Sequence, residues 1–575
     1  MVIIGLFLLL PLAQLVGLSF SYWNGYTAIR FDGFDTWSAL FADPNFQAAL
    51  KNTLIWTAAS AIVPVLLGSI LAFVFHRAGA RIGGFGRALV VVPLLLPATV
   101  AAATWSIMYN PLYGPLDSIL AGINWKLSLG RLTIPIDMAS HVPNWLGDPS
   151  IALWSIFGIT VWNTVGLTVL IVTASIRAID RGYFDIARAE GGGIWAEARH
   201  ILFPATRRGI ALAAIISVVL ASQVEDMLLE LNTNGGPDNS TLMLPLDMYF
   251  KSFSGLGNVG EGAAEACVMI LIVLLVGAVA LLSARGSHSM AGEGDFAAPP
   301  RGRPLAIVLT LLAVVALVSP LFWDCMAALT SGQLIVIQPV TSALSQPSLA
   351  SFASVWNLGL GTGLWESLVI AAVVVMGSLA LSVPAAYGLS LIGRHRIVRA
   401  LILAVLVFTL MQPGDTFVIT LYYLLLSLHL LNTATGLILA EISRELPFTI
   451  VLLWIAMITL PRDVIAAAQL DGGKGLQILA RVVLPLAWPA AAVAVLWVFI
   501  SSWSEYALPY QLLSTSPIQT APMALNTLAG THDTQFNLLG AGTLLMVVPV
   551  LFGLLLVYGP AARWLRTASR AVNRG

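Results

Sequence analysis

Long apolar runs divided by short polar segments set the character of this chain. Runs of about 20 apolar residues, enough to cross a bilayer as a helix, fall near 2–21, 52–75, 87–109, 151–176, 209–229 and 264–284. After a break they resume near 304–325, 365–392, 398–424, 433–460, 486–504 and 539–560. Hydrocarbon offers no partner for backbone N–H and C=O groups, so each run is expected to satisfy its own as a helix. The expected fold class is all-α, a polytopic membrane protein of about 12 transmembrane helices. The first run starts at Met1 without a basic leader or a small-residue cleavage site, which predicts a spanning helix rather than a removable signal peptide.

The break between the sixth and seventh runs, Ser283 to Gly302, is rich in Gly, Ser, Ala and Pro and reads as a linker. Flexible chain of this length has a reach of roughly 25 Å. The expected domains are a first half at 1–284, a linker at 285–303 and a second half at 304–575. An even number of runs in each half makes the halves parallel repeats.

Basic residues give the orientation. Arg77, Arg81 and Arg87, then Arg177 through Arg208, Arg285, Arg301 and Arg303, Arg394 through Arg399, Arg462 through Arg481, and Arg563 through Arg574 occupy alternate loops. Cytoplasmic loops carry the Lys and Arg excess, so these face the cytoplasm, and both termini are expected there too.

Composition agrees and excludes other classes. Of 575 residues 58% are hydrophobic and 10% charged, too apolar for a water-soluble globule. A net charge of zero leaves no general basic surface for nucleic acid. Cys267 and Cys325 have no metal-ligand spacing, the seven histidines form no HExxH pair, and Gly473-Lys474 lacks the rest of a phosphate-binding loop. No cofactor, metal or ATP site is expected on this chain.

One polar, small-residue stretch occurs twice. Asp185-Ile-Ala-Arg-Ala-Glu-Gly-Gly192 runs on to Phe203-Pro204, and Ala466-Ala-Ala-Gln-Leu-Asp-Gly-Gly473 runs on to Leu484-Pro485, with glycine pair and proline displaced by 281 residues. The pair resembles the cytoplasmic coupling loop of permease subunits of ATP-binding-cassette importers, and Leu470-Asp471-Gly472-Gly473 is similar to the sugar-importer version. The first copy carries Glu190 at the aspartate position and Asp185 at the leading glutamate position, while the second has Ala466 at the latter. The resemblance covers nearly the whole chain. Phe34-Asp-Thr-Trp37, Phe46 through Leu54, Tyr113-Gly114 and Asn232 through Thr241 look like the first maltose-type subunit. Glu366-Ser-Leu368, Pro384 through Tyr387, Leu446-Pro-Phe448 and Trp503-Ser-Glu-Tyr506 look like its companion, with Glu366 and Ser504 standing where asparagine is usual.

The resemblance implies a type I importer permease with both halves in one chain, in the cell membrane. It implies two ATP-binding-cassette ATPase subunits, an extracytoplasmic solute-binding protein and a sugar or related polyol as partners, and no chemistry on this chain. ATPase coupling would fall to Asp185, Ala187, Glu190 and Gly191 and to Ala467, Ala468, Asp471 and Gly472. Small side chains at helical spacing permit close backbone approach to a partner groove, Asp471-Gly472 breaks the short helix, and Pro485 can open the next one.

Ionisable groups inside a membrane tend to face a cavity, and Glu225, Asp226 and Glu230 follow the fifth run. Ser222 and Glu225 are expected on one helical face, and they align with positions where maltose-type subunits contact sugar; Asn163 and Thr164 occupy a similar aligned region. These four are the expected substrate path, with a hydrated outer-interface position the competing reading of Glu225. Trp105, Trp162 and Trp503 are read as packing rather than sugar platforms, and Glu441, Arg444 and Glu445 as a solvated helix start with local ion pairs. Rival readings are a fused permease for ferric iron or thiamine and a proton- or sodium-coupled secondary transporter of two parallel halves. A membrane-embedded enzyme lacks a catalytic constellation in this sequence.

Overall fold

Apolar runs that must close their own hydrogen bonds give helices almost throughout. The computed structural model describes residues 5–25, 27–110, 114–116, 124–129, 132–137, 143–191, 193–222, 224–232, 235–253, 258–283, 303–330, 345–391, 396–410, 418–460, 462–529 and 535–572. Residues 285–302 of the linker, Arg394, Tyr113, Gly192, Thr233 and Asn234 lie outside them. Among the described residues, seven helices are long and apolar enough to cross a membrane, or up to ten if each bent pair is one span. Three shorter apolar helices, Gly5–Leu18, Ile397–Leu410 and Val418–Ser427, fall in further predicted runs. The strands described form two antiparallel hairpins, Ser21–Tyr22 with Arg30–Phe31 and Asn124–Leu129 with Leu132–Asp137.

The chain forms two compact units, and they exchange their first helices relative to chain order. One unit holds Ser19–Phe352 and His532–Thr543. Its centre is the packing of Pro44–Arg77 against Ala152–Arg177 and Phe203–Ala221, and the helix Pro304–Ala328 lies against Pro44–Arg77, Ala80–Leu89 and Ala98–Met108. Close approach depends on glycine here. A Cβ on Gly166 would stand 2.3 Å from Val90 O. Asp324, deep in this unit, accepts a 2.6 Å hydrogen bond from Thr104 Oγ1.

The other unit holds Met1–Leu18, Ala353–Thr531 and Leu544–Gly575. Gly361–Leu391 packs on Ala434–Ile458 and Trp488–Ser504, while Leu10–Leu18 lies on Val418–Ser427. Trp503 is buried and donates through Nε1 to Met546 O at 3.1 Å, a packing role. Trp162 likewise donates to Leu317 O at 2.8 Å and meets Trp105 edge-on in the first-described unit.

Candidate functional site

The two polar stretches fold alike, boundary for boundary. In the first, the helix Arg181–Ala189 is followed by Gly191 in the left-handed region, a turn of helix at Ile194–Glu197 and a π-helical turn at Ala198–Leu202. In the second, the helix Arg462–Leu470 is followed by left-handed Gly472, a turn at Gly475–Ile478 and a π turn at Leu479–Val483. Every boundary is displaced by 281 residues, 181 to 462, 194 to 475 and 198 to 479.

Proline explains the wide turn. Pro204 and Pro485 offer no N–H and crowd the carbonyl four residues back. The residue before each proline therefore bonds five back instead, Phe203 N–H to Ala198 O and Leu484 N–H to Leu479 O. In the first copy the helix runs on through Pro204 to Ala221, whereas in the second it runs through Pro485 only to Leu486 and bends by 81° before Trp488–Ser504.

Each loop is seated on its own apolar cluster. Phe184, Ile201 and Leu202 pack with Ile176, Ile179, Val172 and Phe75. At the equivalent places Ile465, Val482 and Val483 pack with Met457, Leu460, Leu453 and Tyr387. Ala187 and Ala468 turn inward onto these clusters, so the small side chain at that position serves the protein's own packing. Asp185, Glu190, Gly191, Ala467, Asp471 and Gly472 are exposed.

One anchor differs between the copies. Glu197 is buried and paired with Arg77, at the end of Pro44–Arg77, whereas the equivalent Ile478 sits in the second apolar cluster. Beyond the glycine each loop also exposes one large apolar side chain at the same position, Trp195 at 86% and Leu476 at 78%. Ile186, Phe203 and Leu470 are exposed on the loops as well. Water does not favour such residues, and both copies carry one at the position of Trp195 and Leu476. The repeat offset was the sequence signal that pairs Trp195 with Leu476.

The four expected path residues lie in one unit, on two packed helices and beyond a break. Asn163 Nδ2 donates to Pro93 O at 2.8 Å, and buried Thr164 donates to Thr160 O at 2.7 Å. The helix Phe203–Ala221 ends at Ala221, Ser222 caps it, and Glu225 opens a new helix, Glu225–Leu231. Ser222 and Glu225 therefore do not share a helical face, because the chain breaks between them. Glu225 has 0% exposure, which corrects the hydrated-interface reading. This short helix packs on Ala98–Met108, and its Met227 touches the helix bearing Asn163 and Thr164 through a 3.9 Å contact from Thr160 Oγ1.

Glu441, Arg444 and Glu445 are also corrected. They sit within Ala434–Ile458, and Glu441 and Glu445 are buried rather than solvated. The expected local pairing is present, Arg444 Nε lying 3.6 Å from Glu445 Oε1, but the further partners are on Trp488–Ser504 and just past it, more than fifty residues away, which local spacing does not reveal.

The family profile described as "Binding-protein-dependent transport system inner membrane component" matches residues 64–287 and again 378–566. A probable ABC transporter permease protein of Pyrococcus horikoshii is 29% identical over 277 residues, covering 48% of this chain and 89% of its own length. The diacetylchitobiose uptake system permease protein of Streptomyces coelicolor is 25% identical over 303 residues, 51% of this chain and 82% of its own. The trehalose/maltose transport system permease protein of Thermococcus litoralis is 28% identical over 224 residues, 39% of this chain and 69% of its own.

Proposed function

The chain belongs to the family of binding-protein-dependent transport system inner membrane components, and from that premise we propose that it is a fused permease importing a sugar, oligosaccharide or related polyol. It is a multi-pass protein of the cytoplasmic membrane. The observation that carries the reading is the paired loop, two structurally matched copies in one chain. The sugar class rests on the relatives, which include uptake proteins for diacetylchitobiose and for trehalose and maltose.

In this reading an external binding protein delivers the solute, and two separate ATPase subunits hydrolyse ATP on the cytoplasmic side, where the linker and both termini also lie. The halves are 1–284 and 304–575, each supplying one loop. Asp185, Glu190 and Gly191, with Ala467, Asp471 and Gly472, shape the two surfaces that the ATPases push, and Ala187 and Ala468 couple those surfaces to the clusters beneath them. Trp195 and Leu476 supply apolar contact there. Asn163, Thr164, Ser222 and Glu225 offer hydroxyl, amide and carboxylate groups to sugar hydroxyls, whose recognition needs several hydrogen bonds placed together.

Reconstitution tests the reading. The chain, its ATPase and its binding protein in proteoliposomes should take up labelled sugar only with ATP, and uptake should survive a protonophore. Native mass spectrometry should give one copy of this chain with two ATPase subunits and one binding protein. Two permease chains per complex, or uptake abolished by the protonophore, would refute it.

A further inference from the structure

The halves share a backbone course but differ in one buried cluster. Helix, loop, helix, break and short helix recur at an offset of 281, the outer ends of Ala152–Arg177, Phe203–Ala221 and Glu225–Leu231 matching those of Ala434–Ile458, Trp488–Ser504 and Ala507–Leu512 to within two residues, while the second half adds a bend of 81° between Leu486 and Trp488. In the second half the helices flanking the loop are tied together at their ends remote from it. Ser502 Oγ donates to Glu441, Ser501 Oγ donates to Glu445 Oε1 at 2.6 Å, and Trp497 Nε1 donates to Glu445 Oε2 at 3.0 Å. Arg444 reaches past the end of Trp488–Ser504, placing Nη2 2.5 Å from Glu505 Oε2. The other oxygen of Glu505 accepts from Leu508 N at 3.1 Å. One carboxylate thus fixes both the break after Ser504 and the first turn of Ala507–Leu512.

Among the described residues of the first half, the corresponding positions form no such arrangement. The places of Glu441, Arg444, Glu445 and Glu505 are taken there by Thr160, Asn163, Thr164 and Val224. Asn163 bonds the turn at Pro93, and Thr164 bonds its own helix, so neither reaches the helix that follows the loop.

Buried ionic groups hold geometry because separating them leaves an uncompensated charge out of water. A fully bonded network also favours a single side-chain arrangement. Glu445 stands 13 residues before Ile458, about 20 Å along a helix, and the second loop begins four residues later at Arg462. The brace therefore joins the far end of the helix that enters the loop to the far end of the helix that leaves it.

Resting on the transport reading above, we infer that Arg444 is a positioning residue for transport: through Glu505 it makes the second loop's two flanking helices and the segment 505–512 one rigid arm, a brace the first loop lacks. A push on the second loop then moves the segment beyond the break with it.

The test is the number of solute molecules moved per ATP hydrolysed, measured in proteoliposomes holding the full chain, its ATPase and its binding protein. Three variants are compared with wild type: Arg444→Gln, Glu505→Gln, and the exchange Arg444→Glu with Glu505→Arg. The two single variants should lower the ratio about tenfold while ATP hydrolysis stays within about twofold, and the exchange should recover most of it, as coupled neighbours do. Glu505→Gln is nearly isosteric and keeps the acceptor for Leu508 N, which guards against a folding defect. A fall in transport and hydrolysis by the same factor, an unchanged ratio, or an exchange variant no better than the singles would overturn the inference. Wild-type vesicles with active ATPase but no ATP-driven uptake would instead bring down the transport reading itself, and this inference with it.

Discussion

Gly191 and Gly472 hold the same left-handed backbone 281 residues apart, with φ of +74° and +81°. An added Cβ would meet nothing within 4 Å at either place, so the need for glycine is conformational and not steric. An L-residue in this region costs roughly 1–2 kcal/mol, and asparagine tolerates it best. Gly472→Ala should lower ATP-driven uptake several-fold, on the order of that strain, while Gly472→Asn should retain most of it. Gly472→Glu should abolish uptake with membrane insertion intact, because it adds a bulky charge to the exposed face, and Gly191→Glu should do so less severely. Uptake together with ATPase co-purification measures both. Alanine and asparagine behaving alike would show that the backbone is not the reason.

The ion pair under the first loop permits a direct comparison with the second. Glu197 pairs with Arg77, both side chains little exposed at 8% and 12%, where the second loop has Ile478. Glu197→Ile would take away the carboxylate that faces a little-exposed guanidinium, a loss of about 3 kcal/mol. Adding Arg77→Leu should recover most of that, since a well-packed apolar pair often matches a buried ionic one. Thermal unfolding in detergent and protease cleavage within 181–204 would report it. A double variant as unstable as the single one would mean that the pair is not what seats the loop.

The sequence made the loops legible because their small, polar residues repeat at one offset inside otherwise apolar surroundings. That same offset carries the π turns before Pro204 and Pro485 and the exposed pair Trp195 and Leu476. The break after Ala221 was not legible, since Ala221-Ser222-Gln223-Val224 contains no glycine or proline to announce it. Treating the helix as continuous placed Ser222 and Glu225 on one face. The ionic brace was hidden for another reason. Glu441, Arg444 and Glu445 have local helical spacing that suits a solvated face, and only tertiary packing brings Ser501, Ser502 and Glu505 to them.

Acid sensitivity should arise at the start of Pro44–Arg77. Asp43 caps that helix by accepting from Asn45 N at 3.0 Å and lies 2.9 Å from Lys251 Nζ. Burial pushes its carboxyl up, but Lys251 and the amide donors outweigh this and hold its pKa below the ordinary 3.8. A lowered folded pKa gives stability that is present above 3.8 and is lost as pH falls through the lower folded value. Asp43→Asn should therefore cost about 1 kcal/mol at neutral pH, mostly the Lys251 pairing and part of the cap, and should flatten the stability profile below pH 3.8. Unfolding midpoints of the two proteins between pH 7 and pH 3 check it, and parallel acid limbs would remove Asp43 as the cause.

Variants at Glu225 test the proposed solute path and separate two classes of solute. Glu225 is wholly buried at the first turn of Glu225–Leu231, a short helix whose Met227 touches the helix bearing Asn163 and Thr164. Its two oxygens can accept from vicinal hydroxyls or hold a cation. Glu225→Gln keeps the shape, removes the charge and converts one acceptor to a donor, so the two modes respond differently. For a neutral sugar the loss should be that of one charge-assisted hydrogen bond, about 1–2 kcal/mol or roughly ten-fold in transport at limiting solute. For an amine-bearing solute transport should collapse, because a buried cation would lose its counter-charge. Affinity of the external binding protein for the solute should be unchanged in both cases. The sugar reading predicts the modest loss with Gln and a larger one with Ala. If Glu225→Ala leaves rate and solute preference as they were, Glu225 takes no part in recognition and other groups line the path.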